Sequence, residues 1–319
     1  MRYKEAKNAG VRISELTVGT WGYDPYWWGE ADKKSCEAAL MTAVDRGVNI
    51  VDTAARYGDG GAETLLGSFL TPSRRDRVIL CSKFGIYAEY PDGKLKLHRN
   101  SSYDRVIWEC EQSLSRLKTD RLDVYFQHWP DNETNTPIAE TMRALNDLIR
   151  QGKIRWIGFS NTSVEALQEA GKYGTVSFIQ PQYSMVHRTD EALMRWCRDQ
   201  GIAVVTYGSL AGGILTGAYR TLPQWPETDA RYKFYDGFHE PKFSRIQELL
   251  HVMDDIAGAH HATPGQVALN WSTQRDYITS AISGFRKAAR AEENCAAFDW
   301  TLSEDELARL DAELLRLGL

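Results

Sequence analysis

Cysteine is scarce in this chain, and the few cysteines present follow no recognisable pattern. There are five in 319 residues, and none of them forms a Cys-x-x-Cys pair or lies at a metal-ligand spacing from a histidine. A disulfide framework or a structural zinc site is therefore not indicated, and unpaired thiols in a reducing compartment are expected. The five are Cys36, Cys81, Cys110, Cys197 and Cys295.

Long apolar runs and an excess of one charge are missing as well. No segment approaches the roughly 18 apolar residues of a membrane span, and the first seven residues lack the apolar stretch of a signal peptide. Lysine and arginine (38) nearly balance aspartate and glutamate (43), which gives a net charge of -5 without long runs of either sign. These absences argue against nucleic-acid and membrane partners. We expect a cytoplasmic protein that acts on small molecules and holds no metal.

Two common nucleotide-binding motifs are also absent. The stretch Gly58-Asp-Gly60-Gly-Ala-Glu63 lacks the third glycine of the dinucleotide fingerprint, and the chain contains no Walker sequence. A Rossmann fold or a P-loop is therefore not indicated. Any nucleotide cofactor must be held in another way.

What the chain does contain is a regular alternation of strands and helices. Helical periodicity is clear over residues 103–117 and 138–149, and the patterns Thr263-Pro-Gly-Gln266 and Ser303-Glu-Asp-Glu306 are typical of capping boxes at helix starts. The length alone allows one large or two medium domains, but no linker interrupts the alternation. We therefore predict one (β/α)8 barrel over residues 1–319. Its strands are predicted at residues 16–19, 49–52, 77–83, 122–128, 154–159, 176–180, 203–207 and 278–282.

Four acid-base side chains lie at or just after the carboxyl ends of predicted strands. They are Asp52, Tyr57, Lys83 and His128. The active sites of such barrels lie at this end, so the four are expected to converge. Reduction of a carbonyl needs a proton on oxygen, and a tyrosine with an ordinary pKa of about 10 needs help to exchange one near neutrality. We expect the Lys83 ammonium to favour the phenolate of Tyr57, Asp52 to hold Lys83, and His128 to orient the substrate oxygen.

The residues from Asp52 to Gly67, which read Asp-Thr-Ala-Ala-Arg-Tyr-Gly-Asp-Gly-Gly-Ala-Glu-Thr-Leu-Leu-Gly, resemble the signature of the aldo-keto reductase superfamily. The resemblance implies the same barrel, with residues 1–15 as a hairpin that closes its bottom, and a nicotinamide cofactor across its mouth. It spans nearly the whole chain. It continues through Ser82-Lys83, Gln127-His128-Trp-Pro-Asp131, Ile157-Gly-Phe-Ser160-Asn161, Gln180-Pro-Gln-Tyr183 and Glu293-Asn294.

By this resemblance, the nicotinamide carboxamide is bonded by Ser160, Asn161 and Gln180, and its ring stacks on Tyr207. A helix cap before Val164 is the alternative explanation for the Ser-Asn pair. After the seventh strand, glycine-rich backbone is expected to bind the pyrophosphate, with a purely structural turn as the alternative. The residues assigned there are Gly208, Ser209, Leu210 and Gly212. Those assigned at the ends of the first two strands are Gly19, Thr20, Trp21 and Asp52.

The last strand leads to cations beside a helix start, which suit an adenosine 2′-phosphate. Arg286 and Arg290 match phosphate-contacting positions of the family, Asn294 matches an adenine contact, and Gly284 and Glu293 are assigned to the cofactor too. NADP(H) is therefore expected. Solvated helix charges unrelated to a cofactor are the alternative. Gly284 replaces a lysine that many members have, which weakens the match.

Tryptophan is abundant, with ten residues, and several lie in loops at the catalytic end. Trp21, Trp27 and Trp28 follow the first strand, and Trp129 follows His128. Together with Tyr57 and His128 they are expected to line the substrate pocket, since aromatic walls with a few polar groups bind sugars or aryl carbonyls. A long loop over residues 209–242 is expected to contribute further rings.

The sequence hypothesis is an NADP(H)-dependent oxidoreductase that interconverts an aldehyde, ketone or sugar carbonyl and the alcohol. Two alternatives remain open. One is an NAD-linked dehydrogenase of sugars or polyols. The other is a cofactor-binding regulatory subunit, because the family includes potassium-channel β subunits.

Overall fold

The first two strands form a hairpin that closes one end of the molecule. In the computed structural model, which describes residues 1–226 and 229–319, β1 (Tyr3–Ala6) pairs antiparallel with β2 (Val11–Ser14). Ala6 and Ile13 are fully buried and pack in one apolar cluster with Ile50, at the amino end of a barrel strand. The hairpin therefore plugs the amino end of the barrel, as expected for residues 1–15.

Eight parallel strands form a closed barrel, which confirms the predicted (β/α)8 fold. Their order around the barrel is β3-β4-β5-β8-β9-β10-β11-β12. Because neighbouring parallel strands end at the same face, the register places Asp52 beside Gly19 and Cys81, near the carboxyl edge. The strands after the hairpin are β3 (Leu16–Gly19), β4 (Ile50–Asp52), β5 (Ile79–Phe84), β6 (Ile86–Glu89), β7 (Lys96–Arg99), β8 (Leu122–Gln127), β9 (Ile154–Ser160), β10 (Val176–Gln180), β11 (Ala203–Thr206) and β12 (Ser280–Gly284).

Helices surround the barrel, and the longer ones bury an apolar face. Both predicted capping boxes are present, at Thr263 with Gln266 and at Ser303 with Glu306. The helices are α1 (Pro25–Trp28), α2 (Lys33–Asp45), α3 (Gly61–Gly67), α4 (Pro72–Arg75), α5 (Tyr103–Leu117), α6 (Ile138–Arg150), α7 (Val164–Gly171), α8 (Glu191–Asp199), α9 (Ala230–Phe234), α10 (Lys242–Ala259), α11 (Pro264–Thr273), α12 (Ala288–Ala296) and α13 (Glu304–Leu317).

The predicted strands agree with the observed ones to within two residues at each end. One hairpin was not predicted. β6 and β7 pair antiparallel just beyond the carboxyl end of β5. Their residues are mostly polar or exposed, so the hydrophobic alternation that marks a strand is weak there. The long loop predicted over residues 209–242 contains the short helix α9, and its residues 227 and 228 lie outside the described part of the chain.

Two further properties concern membranes and metals. None of the helices in residues 1–226 and 229–319 is long and apolar enough to cross a membrane. Over the same residues, no group of three or more His, Cys, Asp and Glu side chains is arranged to hold a metal ion. The five cysteines are free and buried.

Candidate active site

The four predicted acid-base residues meet at the carboxyl end of the barrel. Lys83, on β5, places its Nζ 2.6 Å from Oδ1 of Asp52 at the end of β4, and 3.3 Å from the hydroxyl of Tyr57. The ring of His128, directly after β8, lies 5.8 Å from the Tyr57 ring and nearly perpendicular to it. One phenol, one ammonium, one carboxylate and one imidazole thus share a single site.

Lys83 carries a stable positive charge although its side chain is buried. Burial acts to lower its pKa, but the carboxylate of Asp52 and the Tyr57 hydroxyl more than offset this, so that the pKa is raised. A third bond, from Nζ to the carbonyl oxygen of Thr53 at 2.9 Å, fixes the ammonium in place. The lysine is therefore a permanent cation beside the phenol.

The pKa of Tyr57 reflects two opposing influences. The Lys83 ammonium favours the phenolate, as expected, but burial raises the pKa by more than the ammonium lowers it. The sequence does not reveal this effect of burial. Tyr57 is therefore protonated near neutral pH, and it depends on Lys83 to stabilise the phenolate that remains once the proton is donated.

His128 is neutral near neutral pH. Burial lowers its pKa well below the usual value, and the charges of Lys83, Arg56 and Arg99 lower it further. A neutral imidazole has one N–H donor and one acceptor nitrogen. It can therefore donate a hydrogen bond to a substrate oxygen without competing for the proton.

The residues expected to bind nicotinamide join the same hydrogen-bond network. Gln180 Nε2 donates to Oδ2 of Asp52 at 2.8 Å, and the Ser160 hydroxyl donates to the backbone oxygen of Gln180 at 2.7 Å. Asn161 donates to the backbone oxygen of His128 at 2.9 Å and accepts from the Tyr207 hydroxyl at 2.8 Å. Amide groups and a tyrosine ring thus lie directly beside the acid-base group.

The alternative explanation of Ser160 and Asn161 as a helix cap is wrong. The cap of α7 is Ser163, whose side chain accepts from Ala166 N. Asn161 instead has a left-handed backbone, with φ of 54°, which few residues other than glycine and asparagine adopt. That conformation turns its amide toward His128 and Tyr207.

The glycine-rich segment after β11 offers backbone rather than side chains. Gly208 and Gly212 both have positive φ, and a Cβ added at Gly212 would lie 2.7 Å from the Tyr235 ring. The Ser209 hydroxyl is buried and faces the carbonyl oxygen of Thr206. Leu210 is only partly buried. Main-chain N–H groups are what this segment can present to a phosphate.

The residues after β3 connect the first two barrel strands. Both the backbone N and the hydroxyl of Thr20 donate to the carbonyl oxygen of Asp52 at 3.0 Å. Gly19 pairs with Gly284 across β3 and β12. Trp21 follows in a short 3-10 turn. Thr20 therefore has no free side-chain group for a cofactor, whereas Trp21 has a partly exposed ring.

The cations at the start of α12 lie where the sequence predicts, but each has a partner. Arg290 Nη1 contacts both carboxylate oxygens of Glu293, at 2.7 and 2.6 Å. Arg286 Nη1 donates to three consecutive carbonyl oxygens, of residues 28, 29 and 30, at 3.2 Å each. Asn294 donates to the Ser283 hydroxyl at 2.9 Å. Each of these side chains is therefore engaged by a group of the protein in this structure.

The predicted pocket tryptophans fall into two groups. Trp21 and Trp28 pack edge to face at 5.2 Å, and Phe234 of α9 packs against Trp21 and Trp27 at 5.6 and 4.9 Å. Trp129 lies apart from them, with the guanidinium of Arg99 5.0 Å from its ring. The first group joins the loop after β3 to the loop after β11.

Two residues at the site were not identified from the sequence. Arg56 is 7% exposed and directly precedes Tyr57. Tyr235 packs on the glycines after β11. The sequence signal for Arg56 was its position: it is a charged residue directly between two alanines and the signature tyrosine. Tyr235 was covered only by the general expectation that the loop over residues 209–242 contributes rings.

Comparison with known proteins shows similarity to one enzyme family over nearly the whole chain. The model of the aldo/keto reductase family matches residues 15–314. A relative from Escherichia coli, "NADH-specific methylglyoxal reductase", is 32% identical over 316 residues, which cover 96% of this chain and 94% of the relative.

Two solved structures share the fold at similar identity. The "glycerol dehydrogenase AKR11B4 from Gluconobacter oxydans" has a TM-score of 0.89 at 28% identity and covers 98% of this chain and 95% of its own. An aldo/keto reductase from Klebsiella pneumoniae "in complex with NADP and acetate" has a TM-score of 0.74 at 27% identity, with coverage of 98% and 95%.

Proposed function

Since the family model covers nearly the whole sequence, the chain belongs to the aldo/keto reductase family, and we propose that it is an NADP(H)-dependent oxidoreductase. It interconverts a small aldehyde, ketone or sugar carbonyl and the corresponding alcohol by hydride transfer. The observation that carries the proposal is the Lys83 ammonium, held by Asp52 at 2.6 Å and placed 3.3 Å from the Tyr57 hydroxyl.

The reaction follows from the charge states of these groups. When bound, the nicotinamide cofactor supplies the hydride that is added to the carbonyl carbon. Tyr57, whose pKa burial raises, donates its proton to the carbonyl oxygen. The Lys83 cation stabilises the phenolate that remains, and neutral His128 donates a hydrogen bond to the oxygen during the transfer. In alcohol oxidation the same groups act in reverse.

The cofactor site fits a dinucleotide in three respects. The amides of Asn161 and Gln180 lie beside the acid-base group, the positive-φ glycines after β11 expose main-chain N–H groups, and cations stand at the start of α12. Gly212 allows the Tyr235 ring to pack against the main chain, since a Cβ there would lie 2.7 Å from that ring. These residues would bind the carboxamide, the pyrophosphate and the adenosine end respectively.

NADP(H) is the preferred cofactor because Arg286 and Arg290 stand near a helix N-terminus, where a 2′-phosphate is favoured. The Klebsiella pneumoniae neighbour has NADP in its structure. NADH is a second candidate, since Glu293 already holds Arg290 and an acidic residue can bind a free ribose hydroxyl. The Escherichia coli relative is named NADH-specific.

A cytoplasmic location is part of this proposal, supported by five free cysteines. The partner proposed is a small carbonyl or alcohol substrate.

The test is turnover of a panel of aldehydes, ketones and sugars by the purified protein. The reduced cofactor is followed by its near-ultraviolet absorbance, with NADPH and NADH in parallel. We expect turnover with a lower KM for NADPH. A lower KM for NADH would favour the second candidate. Tight cofactor binding without turnover of any carbonyl would instead indicate a regulatory subunit.

A further inference from the structure

Arg56 is a buried arginine whose hydrogen bonds are not completed by the described part of the chain. Its side chain is 7% exposed, and Nη1 donates to Oδ1 of Asp59 at 2.8 Å. Among residues 1–226 and 229–319, Nε and Nη2 are buried without any acceptor. A buried donor without a partner is costly, so such a group usually meets an acceptor in the working protein.

The two free nitrogens form one edge of the guanidinium. In arginine, the Nε and Nη2 N–H bonds lie side by side and point in the same direction, which matches the two oxygens of a carboxylate. The opposite side of the group is anchored: Asp59 accepts from Nη1, and the Tyr90 hydroxyl holds the other Asp59 oxygen at 2.5 Å. The guanidinium is therefore held on one side, and its bidentate edge has no acceptor among the described residues.

Arg56 lies next to the residues of the candidate active site. Arg56 directly precedes Tyr57 in the turn after β4, and its charge contributes to the lowered pKa of His128, after burial and Lys83. Arg99 is a second cation close to the histidine, and its guanidinium packs over the Trp129 ring at 5.0 Å. Two arginines thus flank the residues expected to bind the carbonyl oxygen.

Neighbouring carboxylates leave the Nε and Nη2 edge of Arg56 without an acceptor. Asp59 pairs with Nη1, and its side chain is 46% exposed, so solvent screens this ion pair. Asp24 is buried nearby; burial raises its pKa, the charge of Arg56 opposes that shift, and its carboxylate does not accept from Nε or Nη2. A further anion could therefore complete the hydrogen bonds of this edge.

We propose that the Nε and Nη2 edge of Arg56 binds a carboxylate of the substrate, so that the preferred substrates are aldehydes or ketones bearing a carboxylate. This inference rests on the proposed function, because it assigns a substrate class to the same site. Arg56 acts on specificity and takes no part in the transfer of the proton.

The first test compares 4-formylbenzoate with its methyl ester, which differ mainly in charge. We expect the wild-type protein to prefer the carboxylate by about 10-fold or more in kcat/KM, mostly through KM. Arg56→Met should reduce this preference by about 10- to 100-fold, the value of a charged hydrogen bond. Arg56→Lys should restore only part of it, since an ammonium lacks the bidentate edge. A wild type without preference, or an Arg56→Met variant that keeps it, would overturn the inference.

The preference is a ratio, so a general loss of activity in Arg56→Met does not affect it. Arg12→Met is the matched control, because Arg12 is exposed on β2 at the opposite end of the barrel. It should keep the wild-type ratio. Glyceraldehyde 3-phosphate and glyceraldehyde form a further pair. Preference for the phosphate in this pair, without preference for the carboxylate in the first, would overturn the carboxylate assignment in favour of a phosphate ester.

A binding measurement separates this inference from the proposed function. Calorimetry with 4-(hydroxymethyl)benzoate and its methyl ester requires no turnover. We expect the carboxylate to bind the wild type at least about 10-fold more tightly than the ester, and Arg56→Met to lose most of the difference. Absence of turnover with every carbonyl would refute the proposed function, whereas equal binding of acid and ester would refute the role of Arg56.

Discussion

Tyr57 experiences two opposing influences, and their balance explains its chemical role. Burial raises the pKa of the phenol, while the Lys83 ammonium at 3.3 Å lowers it. A phenol with a raised pKa keeps its proton until a stronger base, such as the developing alkoxide, approaches. The ammonium then stabilises the phenolate that is left. The lysine therefore contributes most after the proton has moved.

Tyr57→Phe should lower the rate of carbonyl reduction by about 10²- to 10⁴-fold, the usual value of a general acid. The affinity for NADPH should change little, because the phenol is not among the residues proposed to hold the cofactor. Stopped-flow turnover and fluorescence titration measure the two quantities. Tyr173→Phe, at an exposed tyrosine whose hydroxyl bonds Glu169, is the control and should be neutral. Wild-type turnover by Tyr57→Phe would remove the phenol from the mechanism.

Lys83→Met should change the pH dependence of alcohol oxidation. In that direction Tyr57 must be deprotonated, so the rate rises with pH through the folded-state pKa, which burial raises. Without the ammonium, which lowers that pKa, the rising limb should move to still higher pH. Reduction needs the protonated phenol and should fall with increasing pH instead. The substitution leaves the buried Asp52 carboxylate without its ion-pair partner, which can destabilise the fold. The pH profiles are therefore compared only over the pH range in which circular dichroism shows that the variant is folded. If the rising part of the pH profile lies at the same pH in Lys83→Met and in the wild type, the Lys83 ammonium does not lower the pKa of Tyr57.

At the scale of single elements, the strands could be predicted and the contacts between loops could not. Buried β-branched runs and caps such as Thr263 with Gln266 are local patterns, and the structure confirms them. The contact between Arg286 and carbonyl oxygens of the loop after β3 joins positions more than 250 residues apart. No local pattern contains such a contact. The polar hairpin of β6 and β7 was missed because its alternation is weak.

The start of α12 provides a prediction about cofactor choice. Arg290→Ala should raise the KM for NADPH by about 10- to 100-fold and that for NADH little, since only NADPH carries a 2′-phosphate. Glu293→Ala should have the opposite effect and lower the KM for NADPH, because it releases Arg290 from its ion pair. Arg290 is the better target than Arg286, which also holds the loop after β3. Equal losses for both cofactors in Arg290→Ala would argue against a 2′-phosphate site.

At the scale of the whole molecule, the barrel and the convergence of four acid-base residues could be predicted, because strand ends determine both. The role of Arg56 was not predicted. Arginine side chains are mostly exposed, whereas Arg56 is buried with two unpaired nitrogens. The depth of Tyr57 was missed for a related reason: burial depends on the packing of segments that are distant in sequence. That the chain forms a single domain stays a prediction.

The amino-terminal hairpin should stabilise the whole barrel without affecting catalysis. Ile13 is fully buried in the apolar cluster at the amino end, opposite the active site, so Ile13→Ala should lower the free energy of unfolding by about 2 to 5 kcal/mol. The kcat of carbonyl reduction, measured well below the unfolding transition, should remain near the wild-type value. Leu315→Ala, at a leucine that is 80% exposed on α13, is the matched control and should change stability by less than about 0.5 kcal/mol. Urea unfolding followed by both circular dichroism and tryptophan fluorescence measures the effect, and coincident transitions are expected if the chain is one cooperative domain. Separate transitions, with only one of them shifted by Ile13→Ala, would show that the hairpin end and the catalytic end unfold independently.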